Sequence, residues 1–116
     1  MFDFEQFPVY QKAENYHTQI TKILSNYKID KNLKDQCKRA SLSIVLNIAE
    51  GAGKYAKNDK KNFYVIAKGS VNECVAILRI LKLENNVTEE TFQKTYSELL
   101  EIAKMLSALI KTMLKK

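Results

Sequence analysis

Breakers are scarce in this chain, with three glycines and one proline in 116 residues. A sheet of many strands needs many turns, so this scarcity excludes a many-turned β fold and favours long helices. There is a single histidine. One imidazole cannot complete a zinc site of the usual kind, and it leaves a Ser or Cys nucleophile little choice of base. Glu14-Asn-Tyr-His17 has the Glu-x-x-His spacing of di-iron bundles, but the second such pair cannot exist here. His17 therefore reads as a surface residue. No phosphate-cradling or dinucleotide glycine pattern occurs, and Gly51-Ala-Gly53 is too short to count as one. No catalytic residue, metal, cofactor or small-molecule substrate is expected.

Other absences bound the compartment. No stretch approaches the roughly 18 uninterrupted apolar residues of a membrane span. The opening Met1-Phe-Asp-Phe-Glu-Gln-Phe-Pro8 carries acids where a signal peptide needs bases. Cys37 and Cys74 lack metal spacing and fall on apolar stripes, as buried free thiols do. A cytoplasmic chain with no membrane partner is the expectation.

What is present is helical periodicity over residues 1–116, taken as one domain. Helix 1 is predicted from Pro8 to near Tyr27, with the stripe Val9, Ala13, Tyr16, Ile20, Ile23 and Tyr27. Asp30 suits the N-cap of helix 2, whose stripe is Leu33, Cys37, Ala40, Ile44 and Ile48. Gly51 and Gly53 are expected to stop it in left-handed geometry. Asn58 or Asp59 is predicted to cap helix 3, with the stripe Phe63, Ala67, Ser70, Cys74, Ile77 and Leu81. The glycine at Gly69 suggests close helix packing. Glu84-Asn85-Asn86 ends that helix, and Thr88 caps helix 4, striped by Phe92, Tyr96, Leu99, Ala103, Leu106, Ile110 and Met113. Short links force antiparallel neighbours, so the fold class is an all-α, up-down-up-down antiparallel four-helix bundle.

Helices 2 and 3 look apolar on more than one side. Leu42, Val45, Leu46, Tyr64, Val71 and Val75 lie off the inward stripes and are expected to form a subunit interface in a homo-oligomer. Net charge is +6, from 19 basic and 13 acidic residues. The bundle topology gathers Lys54, Lys57, Lys60, Lys61, Lys111, Lys115 and Lys116 at one end. A second basic run on helix 2 includes Lys38 and Arg39. Clustered cations of this kind suit nucleic-acid phosphates. With no helix-turn-helix, zinc-finger or RNP-type motif, the expected contact is to backbone and shape. Asn47 and Glu50 are candidates for a polar network with Ser70, Glu73 or Arg39.

Several strings resemble one family. Phe7-Pro-Val-Tyr10-Gln-Lys-Ala13, Gln36-Cys-Lys-Arg39-Ala-Ser41-Leu-Ser43-Ile, Asn47-Ile-Ala-Glu50-Gly51, and Ile66-Ala67-Lys-Gly69-Ser70 with Glu73 are similar to the bacterial four-helix-bundle proteins encoded in 23S rRNA intervening sequences. The resemblance covers nearly the whole chain. It departs at Val45, where many members have Pro, and after Gly53, where this chain is Lys-rich. It implies a homo-oligomer, a ring of five, and brings no catalytic residues. Its signature positions are Asn47, Glu50, Gly51, Ser70 and Glu73, read as structural. It also implies kinship with basic accessory proteins of diversity-generating retroelements. The expected function is association with RNA or the ribosome; the alternative is a protein-interaction scaffold or accessory subunit, for example of a reverse transcriptase.

Overall fold

The computed structural model describes residues 1–115. A short 3-10 turn, Asp3–Gln6, precedes four helices: α1 (Pro8–Ile23), α2 (Lys31–Ala52), α3 (Lys57–Leu83) and α4 (Glu89–Leu114). Each helix packs on its chain neighbour, and α4 returns to α1, closing an antiparallel four-helix bundle of 48 × 24 × 22 Å.

Local chemistry sets most of the boundaries. Pro8 opens α1, where its missing N–H costs nothing. The Asp30 side chain accepts from the Leu33 N–H at 3.2 Å, and Thr88 Oγ1 accepts from the Thr91 N–H at 3.1 Å. Asn85 takes a left-handed φ of 59°. Its N–H donates to the Lys82 carbonyl and the Asn86 N–H to the Leu81 carbonyl, which finishes α3 as a Schellman motif.

Three boundaries differ from the sequence reading. Helix α1 ends at Ile23, not Tyr27. Ser25 and Asn26 turn the chain there, the Asn26 Oδ1 accepting from the Lys28 N–H. Tyr27 is left exposed, while Leu24 and Ile29 plug the end of the core. Helix α3 starts at Lys57 behind Ala56, with no side-chain cap, so Asn58 and Asp59 lie in its first turn. Asp59 still favours the positive end of the helix dipole. Finally, Gly51 is inside α2, and Gly53 caps it at φ −82°, in the right-handed region.

Gly51 has another reason to be glycine. A Cβ there would lie 2.8 Å from Tyr64 Cε1 and 3.1 Å from Phe63 Cβ. The missing side chain lets α2 approach α3 where Tyr64 is buried. Gly69 is the opposite case: a Cβ there meets nothing within 4 Å, so close packing inside the bundle is not its reason. The two alanine substitutions should therefore differ in sign. Gly51→Ala is expected to destabilise by about 1–2 kcal/mol, overpacking outweighing helix propensity. Gly69→Ala is expected to stabilise one chain by about 0.5–1 kcal/mol. Denaturant melts of dilute protein check both, and a shared sign would contradict the packing described.

The core runs the length of the bundle through Tyr16, Ile20, Ile44, Ile48, Leu78, Leu81, Leu99, Ile102 and Leu106. On α4 the buried set is Thr95, Leu99, Ile102 and Leu106. Tyr96 and Ala103, placed inward by the periodicity, sit on its flank, Tyr96 at 36 % exposure. Thr95 can go inside because its hydroxyl donates back to the Thr91 and Phe92 carbonyls. The Tyr16 hydroxyl is buried with no hydrogen-bond partner among the described residues. Burial pushes its phenol far above the ordinary range.

Candidate nucleic-acid interface

The α2–α3 link and the C-terminal turn of α4 meet at one end of the bundle. The Lys57 Nζ donates to the Lys115 carbonyl at 3.1 Å, tying the start of α3 to the end of α4. Phe4, Leu46, Glu50, Gly53 and Lys54 line one shallow pocket, which places the N-terminal turn at the same end. The structure therefore brings Lys54, Lys57, Lys60, Lys61, Lys111 and Lys115 into one region. Lys116 lies outside the described residues.

These cations do different work. Lys54 pairs with Glu50 at 3.8 Å and sits 5.2 Å over the Phe63 ring. The Lys60 Nζ donates to the Ala52 and Gly51 carbonyls at 3.0 and 3.5 Å, satisfying orphan acceptors where α2 ends. Among the described residues, Lys61, Lys111 and Lys115 have no ion-pair partner. Toward the opposite end two ion pairs form, while Lys28, Lys34 and Lys94 have no ion-pair partner among the described residues. Lys82 bonds Glu89, and Lys31 bonds Asp35 at 3.0 Å. Lys82, then Gln93, holds the Glu89 carboxyl below its ordinary range, and Lys31 does the same for Asp35. Unpaired lysines thus stand at both ends, those of the loop end gathered around the α2–α3 link and the last turn of α4.

Lys38 and Arg39 are exposed but do not join this cluster. They stand 13 or more residues before the end of α2, roughly 20 Å up the helix. Sequence spacing located the lysines but not Tyr55, whose ring projects between Lys54 and Lys57 at 103 % exposure. An aromatic flanked by lysines in a short loop was the available signal.

The signature positions divide. Asn47 Nδ2 donates to the Ser43 carbonyl at 2.8 Å and to its hydroxyl at 3.0 Å, and Ser43 Oγ lies 2.7 Å from the buried Ser70 Oγ. Asn47 and Ser70 thus belong to a polar clasp joining α2 to α3, as the network reading expected, though through Ser43. Gly51 is the close approach already described. Glu50 is exposed and tied to Lys54, not buried. Glu73 is exposed and has no partner among the described residues. His17 corrects another expectation. It is half-buried between α1 and α2, its Nδ1 2.6 Å from the buried Ser41 Oγ. The Ser41 hydroxyl also lies 3.2 Å from the Lys38 carbonyl on its own helix.

The interface residues also divide. Val45, Tyr64 and Val71 are core residues, at 7 %, 3 % and 1 % exposure, and face no other subunit. The cause is stripe width: α2 and α3 each pack on two neighbours, so a third position per turn turns inward. Val75 is half-buried in a groove between α3 and α4, also lined by Tyr96 and Leu100. Leu42 and Leu46 remain exposed on α2, at 42 % and 53 %. They are joined by Ile66 and Ile80 on α3, which share an outer flank with Gly69 and Glu73.

The cysteines are buried and free. Burial pushes the Cys37 thiol up to about 11 and Cys74 higher still, so both stay protonated and unreactive at neutral pH. Among the described residues no three metal-ligating side chains cluster, and no helix is long and apolar enough to cross a membrane.

Comparison with known proteins agrees with the fold. A search of the curated proteins gives no match. A solved structure of a protein of unknown function from the S23 ribosomal protein family of Bacteroides thetaiotaomicron is similar, with 26% sequence identity and a TM-score of 0.83. The likeness covers 89% of this chain and 98% of that one. The family described as 23S rRNA-intervening sequence protein matches residues 5–108. Because that match spans most of the chain, the chain belongs to the 23S rRNA-intervening sequence protein family.

Proposed function

We propose that this chain is a non-enzymatic, self-associating RNA-binding protein of the cytoplasm, gripping the nucleic-acid backbone with its loop end. The observation that carries the reading is the group of unpaired lysines at the loop end. Lys61, Lys111 and Lys115 have no ion-pair partner among the described residues and stand around a tight loop. The family's description, which ties it to 23S ribosomal RNA, supports RNA as the polyanion, with the ribosome as one place of action.

Self-association rests on the apolar surface left outside the bundle. Leu42, Leu46, Ile66 and Ile80 are large, exposed and grouped on α2 and α3. Gly69 lies beside them and would let a neighbouring backbone approach closely. Val75, Tyr96 and Leu100 form a second apolar face in the α3–α4 groove. Two different faces on one chain suit a head-to-tail contact that closes into a ring, with five subunits as the expected number.

Gel-shift titration with a structured RNA at several salt concentrations tests the binding. Affinity is expected to fall linearly in log–log form, by roughly 0.7–0.9 per phosphate neutralised. Absence of binding at low salt would remove the reading. A second reading, an accessory subunit for another protein, is favoured by the α3–α4 groove of about 400 Å³. It requires a protein partner whose binding ignores the loop-end lysines.

A further inference from the structure

Tyr55 is the most exposed large hydrophobic side chain among the described residues, at 103 %. Its loop is nevertheless taut. The Gly53 N–H donates to the Ala49 and Glu50 carbonyls, the Lys54 N–H donates to the Gly51 carbonyl, and Lys60 grips the Ala52 carbonyl from α3. The ring thus extends into solvent from a loop whose flanking backbone is hydrogen-bonded. Its neighbours are cations: Lys54 precedes it, Lys57 follows two residues on, and Lys61 lies one turn further along α3. Tyr27, the other highly exposed tyrosine, stands at the opposite end beside Lys28.

We propose that Tyr55 is a stacking platform for an unpaired base of a single-stranded nucleic acid, with Lys54, Lys57 and Lys61 on the flanking phosphates. The inference rests on the RNA-binding reading of the same end and adds the ligand class: single strand, loop or bulge, not continuous duplex. The chemistry fits. Every base has a π face, so one aromatic ring accepts any of them, while clustered lysines follow the backbone. Base pairing removes that face from reach, which makes Tyr55 a discriminator between paired and unpaired RNA.

The chain has no tryptophan, so Tyr55→Trp introduces a unique fluorophore at the proposed platform. It would be titrated at low salt with an oligouridine strand about 12 nucleotides long and with a duplex of similar length. Quenching by the single strand and not by the duplex is expected. Tyr55→Ala should weaken single-strand binding by roughly 5- to 150-fold, the equivalent of 1–3 kcal/mol per stacked base. Tyr55→Phe should bind as the native protein does, and duplex affinity should not change. If Tyr55→Ala binds the single strand at native affinity while lysine reversal abolishes binding, stacking is refuted and the RNA reading stands. Loss of subunits on sedimentation of Tyr55→Ala would refute it too, by assigning the ring to an interface between copies. If native protein binds neither RNA, both ideas fall.

Discussion

Replacing Lys57, Lys61, Lys111 and Lys115 together by glutamate should weaken binding to structured RNA by about a thousandfold or more at ~50 mM salt. Each lysine that neutralises a phosphate releases a counterion, and that release dominates non-specific affinity at low salt. Reversal both removes the gain and adds repulsion. Lys54 and Lys60 are left in place deliberately. Lys54 holds Glu50, and Lys60 satisfies the last carbonyls of α2, so changing them would confuse binding with folding. The four chosen side chains have no ion-pair partner among the described residues, only Lys61 is half-buried, and the one contact given up is the exposed Lys57 hydrogen bond to the Lys115 carbonyl. Far-ultraviolet circular dichroism should show unchanged helicity. The same reversal at Lys38 and Arg39, roughly 20 Å away along α2, should cost far less. An unaltered gel shift from the four-lysine variant would transfer support to the accessory-subunit reading.

The second large effect is on stability. Leu99→Ala and Ile102→Ala should each cost about 2–5 kcal/mol, because both side chains are wholly buried in the closed core. The melting temperature should fall by roughly 10 °C or more in either variant. Tyr96→Ala, at 36 % exposure on the flank of the same helix, should cost much less. Thermal melts followed by circular dichroism decide the matter. A Tyr96 variant as unstable as the Ile102 one would mean that α4 is rotated from the orientation described.

That comparison marks how far periodicity reaches. Leu99 and Leu106 are inward under either assignment of the α4 seam. Tyr96 and Ile102 compete for positions on neighbouring flanks, and the tie is broken by Thr95, which hides its hydroxyl on α4's own carbonyls. Nothing in an apolar-spacing count reveals that a threonine will do so. The caps at Asp30 and Thr88 were legible because their chemistry is local. The end of α1 was not, since no glycine or proline marks it and the stop depends on an Asn26 turn. Gly51 was legible as a special position but misread, because its reason is the Tyr64 ring across the helix pair. At the candidate site, topology alone gathered the lysines. Which of them are engaged, and how far Tyr55 stands out, depend on side-chain geometry that only the folded chain fixes.

The return of α4 to α1 bears on how the molecule comes into being. Tyr16 and Ile20, on the first helix, are wholly enclosed, and α1 and α4 are joined by Lys12–Glu101 at 3.1 Å and by Gln19 on the Glu98 carboxylate. Until α4 has left the ribosome those side chains stay wet, and the three earlier helices form an open trough. Synthesis must therefore run through α4 before the domain can seal itself, and a product cut short at the α3–α4 turn is prey for proteases.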